Sequence, residues 1–229
     1  VMHANPGGAP CNFLCAAKSC GASTSFIGKV GDDAFGHMLI HTLEQYGIGT
    51  KGVVVDPKVF TTLAFVTLDD SGDRTFSFAR KPGADMMLTK EDLRYSLLRN
   101  TRVFHFGTLS LTDEPSREAT CEAVRIARES GALITFDPNY RAPLWRGESD
   151  AAEQILWGIK HADVVKISEE EIHLLLNESP EEGARRLVEK FDVKLVLATM
   201  GKKGVFFANK NASGMVFAFT DLNTIDTTG

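Results

Sequence analysis

Several short segments combine residue types that bind polar, phosphorylated small molecules. Gly7-Gly8 stands just ahead of Asn12. Paired glycines admit a ligand close to the backbone, and an Asn amide both donates and accepts, as a sugar hydroxyl requires. A glycine-rich helix start with Asn12 as a local cap would look the same. Phe76, Phe78 and Arg80 alternate, so they share one strand face. From there aromatics can pack on a sugar ring and Arg80 can reach an oxygen, although flap packing also accounts for Phe76. In Asp137-Pro138-Asn139-Tyr140-Arg141, Pro138 stiffens a turn after an apolar strand. Arg141 brings five donors suited to a substrate oxygen or a phosphate. An Asp137–Arg141 ion pair is the structural alternative.

Lys166-Ile167-Ser168-Glu169-Glu170-Glu171 leads a buried strand into a helix. Lys166 then lies beside a helix N-terminus, a natural phosphate site. Ser168 and Glu171 also fit a capping box. Thr199-Met200-Gly201-Lys202-Lys203-Gly204 follows another apolar strand, with a glycine spacing that ordinary β-turns share. Asp226-Thr227-Thr228-Gly229 has the residue types that open an anion-binding turn onto a helix.

The elements that must position these segments alternate between strand and amphipathic helix. Helices are predicted over 13–20, 33–46, 114–130 and 149–161, with two short ones across 169–192. Strands are predicted over 24–29, 102–106, 132–136, 163–167 and 194–198, with a strand-like approach over 216–219. This is the pattern of an α/β fold: a central, mostly parallel sheet with helices on both faces. In such sheets ligands collect beyond the C-terminal strand ends, where most of these segments fall. Between 53 and 78 the alternation stops. Three strand-like runs, 53–55, 63–68 and 74–78, follow without a helix, and Asp69-Asp70-Ser71-Gly72-Asp73 supplies a hairpin turn. They predict a small β-sheet that projects as a lid over 51–81, with 1–50 and 82–229 forming the α/β core. A lid of this kind closes over a ligand and excludes water.

At 229 residues the chain can bury a substantial core, and 43% hydrophobic with 24% charged residues is ordinary for a globular protein. A net charge of -5 with dispersed Lys and Arg argues against a nucleic-acid partner. No run approaches the ~18 apolar residues of a membrane span. Cys11, Cys15, Cys20 and Cys121 have no zinc-like spacing and read as buried thiols of a reducing cytosol. His37 and His41 share a helix face but lack a third ligand at motif spacing. No Gly-x-Gly-x-x-Gly follows a strand with an acidic residue about twenty positions on, which disfavours a dinucleotide-binding protein.

In order, Gly7-Gly8-Ala9-Pro10-Cys11-Asn12, Gly28-Lys29-Val30-Gly31-Asp32-Asp33 with Gly36, Asp137-Pro138-Asn139-Tyr140-Arg141 and Asp226-Thr227-Thr228-Gly229 resemble the ribokinase-like (PfkB) sugar kinases. The resemblance covers essentially the whole chain. The Gly-Gly-Ala-Pro start, Lys166 to Glu171 and the 76–85 segment favour the fructokinase branch. It implies ATP-dependent phosphorylation of fructose to fructose 6-phosphate. 2-Keto-3-deoxygluconate, ribose or a nucleoside are the alternative acceptors, and a catalytically inactive binding paralogue is the alternative class. Gly8, Asn12, Phe78, Arg80, Asn139 and Arg141 would contact sugar. Lys166, Ser168, Thr199, Gly201 and Gly204 would serve nucleotide and phosphate, and Glu171 would order Mg²⁺ through water. Asp226 and Thr228 would lie near a monovalent cation such as K⁺, and Gly229 would begin the anion hole. The family motif at 168–171 is Asn-x-x-Glu, so Ser168 is a departure at the phosphate-contacting position, one that fructokinase-like members commonly tolerate. The family's catalytic Asp follows Gly-Ala-Gly, beyond Gly229, and its first strand and a sugar-contacting Asp precede Val1. The expectation is therefore part of a longer cytoplasmic protein, forming a homodimer through the lid.

Overall fold

The computed structural model describes residues 4–68 and 74–219. The chain divides into two compact units, Val1–Leu98 with Ser110–Ala123, and Arg99–Leu109 with Val124–Gly229.

The first unit opens with helix α1 (Ala9–Ser19), with Gly8 at its N-cap and Pro10 in its first turn. Strand β1 (Ser25–Gly31) leads to α2 (Ala34–Gln45), then β2 (Gly49–Asp56). Asp33 caps α2 by accepting from the N–H groups of Phe35 and Gly36, at 3.0 and 2.9 Å. It also accepts from Thr61 N–H at 2.8 Å, fixing the chain that follows β2. β1 and β2 pair in parallel, and β3 (Leu63–Leu68) and β4 (Arg74–Ala79) form a separate antiparallel pair. The three-stranded grouping expected over 53–78 is thus corrected. β2 joins β1 because α2 provides the crossover a parallel pair needs. The expected hairpin turn at 69–73 lies outside the described residues. Helix α3 (Tyr95–Asn100) is short and was not foreseen. Lys29 on β1 ties the unit together, reaching Asp92 at 2.6 Å and the Met87 carbonyl at 2.9 Å.

The second unit holds β5 (Val103–Gly107), then α4 (Ser116–Glu129), whose first half belongs to the first unit. β6 (Leu133–Asp137), α5 (Glu148–Lys160), β7 (Val164–Ser168), α6 (Glu169–Leu176), α7 (Pro180–Phe191) and β8 (Leu195–Thr199) follow. β9 (Val205–Ala208) and β10 (Ser213–Val216) complete a six-stranded sheet in the order β10-β9-β8-β7-β6-β5. β5 to β8 are parallel, and β9 and β10 are antiparallel. Burial alternates along β6, β7 and β8. Ile134, Phe136, Val165, Ile167, Val196 and Ala198 fill the fully buried face, and the opposite face is half-buried. The strand-like approach at 216–219 is displaced, because the strand is Ser213–Val216. Asn209 Oδ1 sets that hairpin by accepting from the N–H groups of Asn211 and Ala212. Among the described residues no helix is long and apolar enough to cross a membrane.

Candidate functional site

In the second unit, the C-terminal ends of β6 and β7 gather five of the expected site residues around one cleft of about 580 Å³. Asn139, Arg141, Lys166, Ser168 and Glu171 line it together with Tyr140, Glu170, His173 and Leu174. The turn after β6 is held from several sides. Thr108 donates its hydroxyl to the Pro138 carbonyl at 2.6 Å, and Asp137 Oδ1 accepts from Asn139 N–H at 3.1 Å. Asn139 sits at φ 45°, in the left-handed region that Asn tolerates better than most residues. Arg141 Nη1 donates to the Tyr140 carbonyl at 2.9 Å.

Lys166 projects from β7 to Asp137, with Nζ 3.2 Å from Oδ2, and remains part-exposed. Asp137 therefore pairs with Lys166, whereas the sequence suggested Arg141. The capping box is realised: Glu171 N–H reaches Ser168 Oγ at 3.2 Å, and Ser168 N–H reaches Glu171 Oε2 at 2.9 Å. Glu171 is buried, and its Oε1 accepts from Tyr140 N–H at 2.7 Å. His105 on β5 was not singled out by sequence. Its Nδ1 lies 2.9 Å from Thr135 Oγ1. Burial lowers its pKa, Asp137 opposes that, and Lys166 adds to it. The only sequence signal for His105 is its place in an apolar strand, two residues before the strand end.

Thr199 pairs in register with Ser168, so the Thr199–Gly204 turn emerges beside the same strand ends. Gly201 and Gly204 have φ of 52° and 111°. A Cβ on Gly204 would lie 2.1 Å from the Val216 carbonyl oxygen. Local backbone geometry alone thus requires glycine at Gly204. Next to this turn lies a largely apolar cleft of about 500 Å³, lined by Met200, Lys202, Phe206, Met215 and Phe217, among others.

The remaining described candidates, Gly8, Asn12, Phe78 and Arg80, belong to the first unit. Gly8 has φ 132° and accepts from Asn12 N–H at 2.9 Å, which leaves the exposed Asn12 side chain on the first turn of α1. Phe76 and Phe78 stack with centroids 6.2 Å apart, as expected for one strand face. Arg80 is buried. Its Nε and Nη2 meet Asp85 Oδ2 at 2.8 and 2.7 Å, and its Nη1 donates to Thr112 Oγ1 at 3.0 Å. Sequence reasoning missed both partners, although an acid five residues after Arg80 was visible. Asp226, Thr228 and Gly229 lie outside the described residues.

Not all of the thiols are buried as expected. Cys20 is exposed and Cys11 and Cys15 are only half-buried, because α1 contributes no fully buried residue; Cys121, on α4, is also half-buried. Burial pushes the Cys11 thiol up to about 11, and neighbouring Cys15 adds to the effect. Among the described residues no three His, Cys, Asp or Glu gather as metal ligands.

The pfkB family carbohydrate kinase model matches residues 2–229. The chain belongs to the pfkB carbohydrate kinase family. It is 43% identical to fructokinase-2 of Oryza sativa subsp. japonica over 225 residues, 98% of this chain and 67% of that one. A fructokinase structure from Xylella fastidiosa matches with a TM-score of 0.86 and 34% identity, covering 93% of this chain and 66% of that one. A fructokinase of Vibrio cholerae O395, in its fructose, ADP and calcium ion bound form, matches with a TM-score of 0.87 and 33% identity. That match covers 97% of this chain and 71% of the other. The chain thus spans about two thirds of the length of these relatives. The family's ribokinase-like α/β architecture agrees with the fold expected from sequence.

Proposed function

We propose that the chain belongs to an ATP-dependent fructokinase, which transfers the γ-phosphoryl group of ATP to the primary hydroxyl of fructose and yields fructose 6-phosphate and ADP. The observation that carries this reading is the meeting of Arg141, Lys166 and the N-terminus of α6 at one cleft, in a chain 43% identical to a fructokinase. Phosphoryl transfer passes through a loose transition state, so the protein's task is positioning and charge stabilisation. Arg141 presents a planar set of donors to an oxygen of the sugar, and Lys166 presents a compact charge to phosphate. Gly8, Asn12, Phe78, Arg80, Asn139 and Arg141 are proposed to contact the sugar. Thr199, Gly201 and Gly204 are proposed to form the nucleotide side.

Mg²⁺ fits this site only loosely. Each Glu171 oxygen already accepts one N–H, and a carboxylate oxygen has a second acceptor site that can hold a metal-bound water. Bound Mg²⁺ would supply neutralisation of phosphate charge. Asp226 and Thr228 remain proposed neighbours of a monovalent cation, and the turn at Gly229 the start of an anion hole. The proton acceptor is proposed to be the family's Asp beyond that turn. A homodimer through the 51–81 lid and a cytoplasmic location complete the proposal. Exposed Phe60, Phe65, Val66 and Phe76 support the dimer.

ADP release by the full chain, measured with fructose, ribose, 2-keto-3-deoxygluconate and adenosine, tests the reading. The expected result is turnover with fructose at the highest kcat/KM. A preference for adenosine or ribose would move the chain to another branch. No turnover with any acceptor would make it a binding paralogue.

A further inference from the structure

A capping box accounts for one oxygen of Glu171 and leaves the other unexplained. Oε2 accepts from Ser168 N–H, three positions back, as any such box requires. Oε1 accepts from Tyr140 N–H, which is 31 positions back, in the turn after β6. That turn contains Asn139 at φ 45°, in the left-handed region. Tyr140 also carries, on its carbonyl, the hydrogen bond from Arg141 Nη1. A chain of contacts therefore runs from the N-terminus of α6 through Glu171 to Tyr140 and on to the Arg141 guanidinium. Ser168 and Lys166 stand at one end of it, and Asn139 and Arg141 at the other.

We propose that Glu171 is a positioning residue for the acceptor side of the site: bridging the Ser168 and Tyr140 N–H groups, it fixes the turn that presents Asn139 and Arg141. This rests on the kinase reading of the same cleft. It assigns Glu171 a duty beside that of holding a metal-bound water, because each oxygen already accepts one backbone N–H before any ligand arrives. Charge-assisted bonds of this kind, buried, are the strong ones.

The test is Glu171→Gln in the full chain. A Gln amide has one acceptor and two donors, so it cannot accept from both N–H groups. The sugar KM should rise about ten-fold, the cost of one buried donor left unpaired. Amide hydrogen exchange at Tyr140, read by NMR, should accelerate by a similar factor, whatever happens to the Mg²⁺ requirement. Glu171→Asp keeps the charge but is one methylene short, and it should resemble the Gln variant. The proposal is overturned if either variant raises the Mg²⁺ requirement while the sugar KM and Tyr140 protection stay as in the parent. It is also overturned if Asp restores both. If the parent phosphorylates no sugar, the kinase reading fails, and exchange at Tyr140 still decides the positioning role.

Discussion

Arg80 shows how one side chain can satisfy a motif and a fold at once. Its alternation with Phe76 and Phe78 was legible, but the destination of its guanidinium was not. An Arg at a strand exit looks the same in sequence whether it meets a ligand or an internal acid. In the structure its side chain is 3% exposed, and Asp85 and Thr112 hold it. Asp85 also accepts from the Thr62 hydroxyl, so a small network depends on this residue. Arg80→Ala should destabilise the protein by about 3 kcal/mol, the low end for breaking a buried pair, because Asp85 is itself 39% exposed. Arg80→Lys should recover little of that loss, since an ammonium cannot reproduce the fork that meets Asp85 and Thr112 together. Urea midpoints of the two variants against the parent give the answer, and a loss confined to sugar affinity with unchanged midpoints would refute the structural role. Ser168 and Glu171 were legible for the opposite reason. A capping box is local, so three-residue spacing is enough to reveal it. The Tyr140 bond spans two strands and has no local signature.

At the scale of elements, the parallel strands and their helices were readable because each carries its own period. Boundaries for β5, β6, β7 and β8 came within about two residues of prediction, as such readings allow. β9 was missed and β10 misplaced because four-residue strands joined by Asn209-Lys210-Asn211-Ala212 show too little alternation to register. The pairing of β2 with β1 was missed because a short Val run fits a lid as well as a sheet edge. One contact within these layers is sharply testable. Gly158 on α5 lies over the fully buried Phe136 of β6, and a Cβ there would approach the ring to 2.3 Å. Ala normally gains about 1 kcal/mol over Gly in a helix interior. Overpacking a rigid core costs about 1–3 kcal/mol, and a ring with no free volume leaves α5 to shift. The overpacking wins, so Gly158→Ala should lower Tm by about 3 °C. Adding Phe136→Leu should make the Ala less harmful than it is in the parent, a coupling that a double-mutant cycle detects. Additive effects would mean that α5 does not rest on Phe136 as described.

The response of the whole molecule to acid follows from groups distributed over both units. His105 is held below its ordinary value of 6.5 by burial, with Lys166 adding to the effect and Asp137 opposing it. Its folded form resists protonation, so as pH falls below about 6.5 the unfolded chain takes up the proton first. Stability then declines on that side, and is undiminished above it. Asp33 and Asp163 behave in the opposite chemical sense. Burial pushes each carboxyl up, but the N–H groups around Asp33, and Ile134 N–H with Lys194 at Asp163, outweigh it, so both fall below the ordinary 3.8. Their contribution is complete above 3.8 and is lost as pH drops through the lower folded values. The parent should therefore lose stability in two steps, a shallow one as pH falls below about 6.5 and a steeper one below about 4. His105→Gln should remove the first step and leave the second, because Gln has no proton to exchange in that range yet keeps a polar group near Thr135. Urea midpoints of parent and variant at pH 7.5, 6.0, 5.0 and 3.5 would separate the two steps. Parallel curves for parent and variant from pH 7.5 to 5.0 would mean that His105 titrates normally in the folded protein. The polar row formed by His105, Thr135, Asp137 and Lys166 would then be open to water, and the phosphate contact proposed for Lys166 would have to form in a solvated cleft where its charge counts for less.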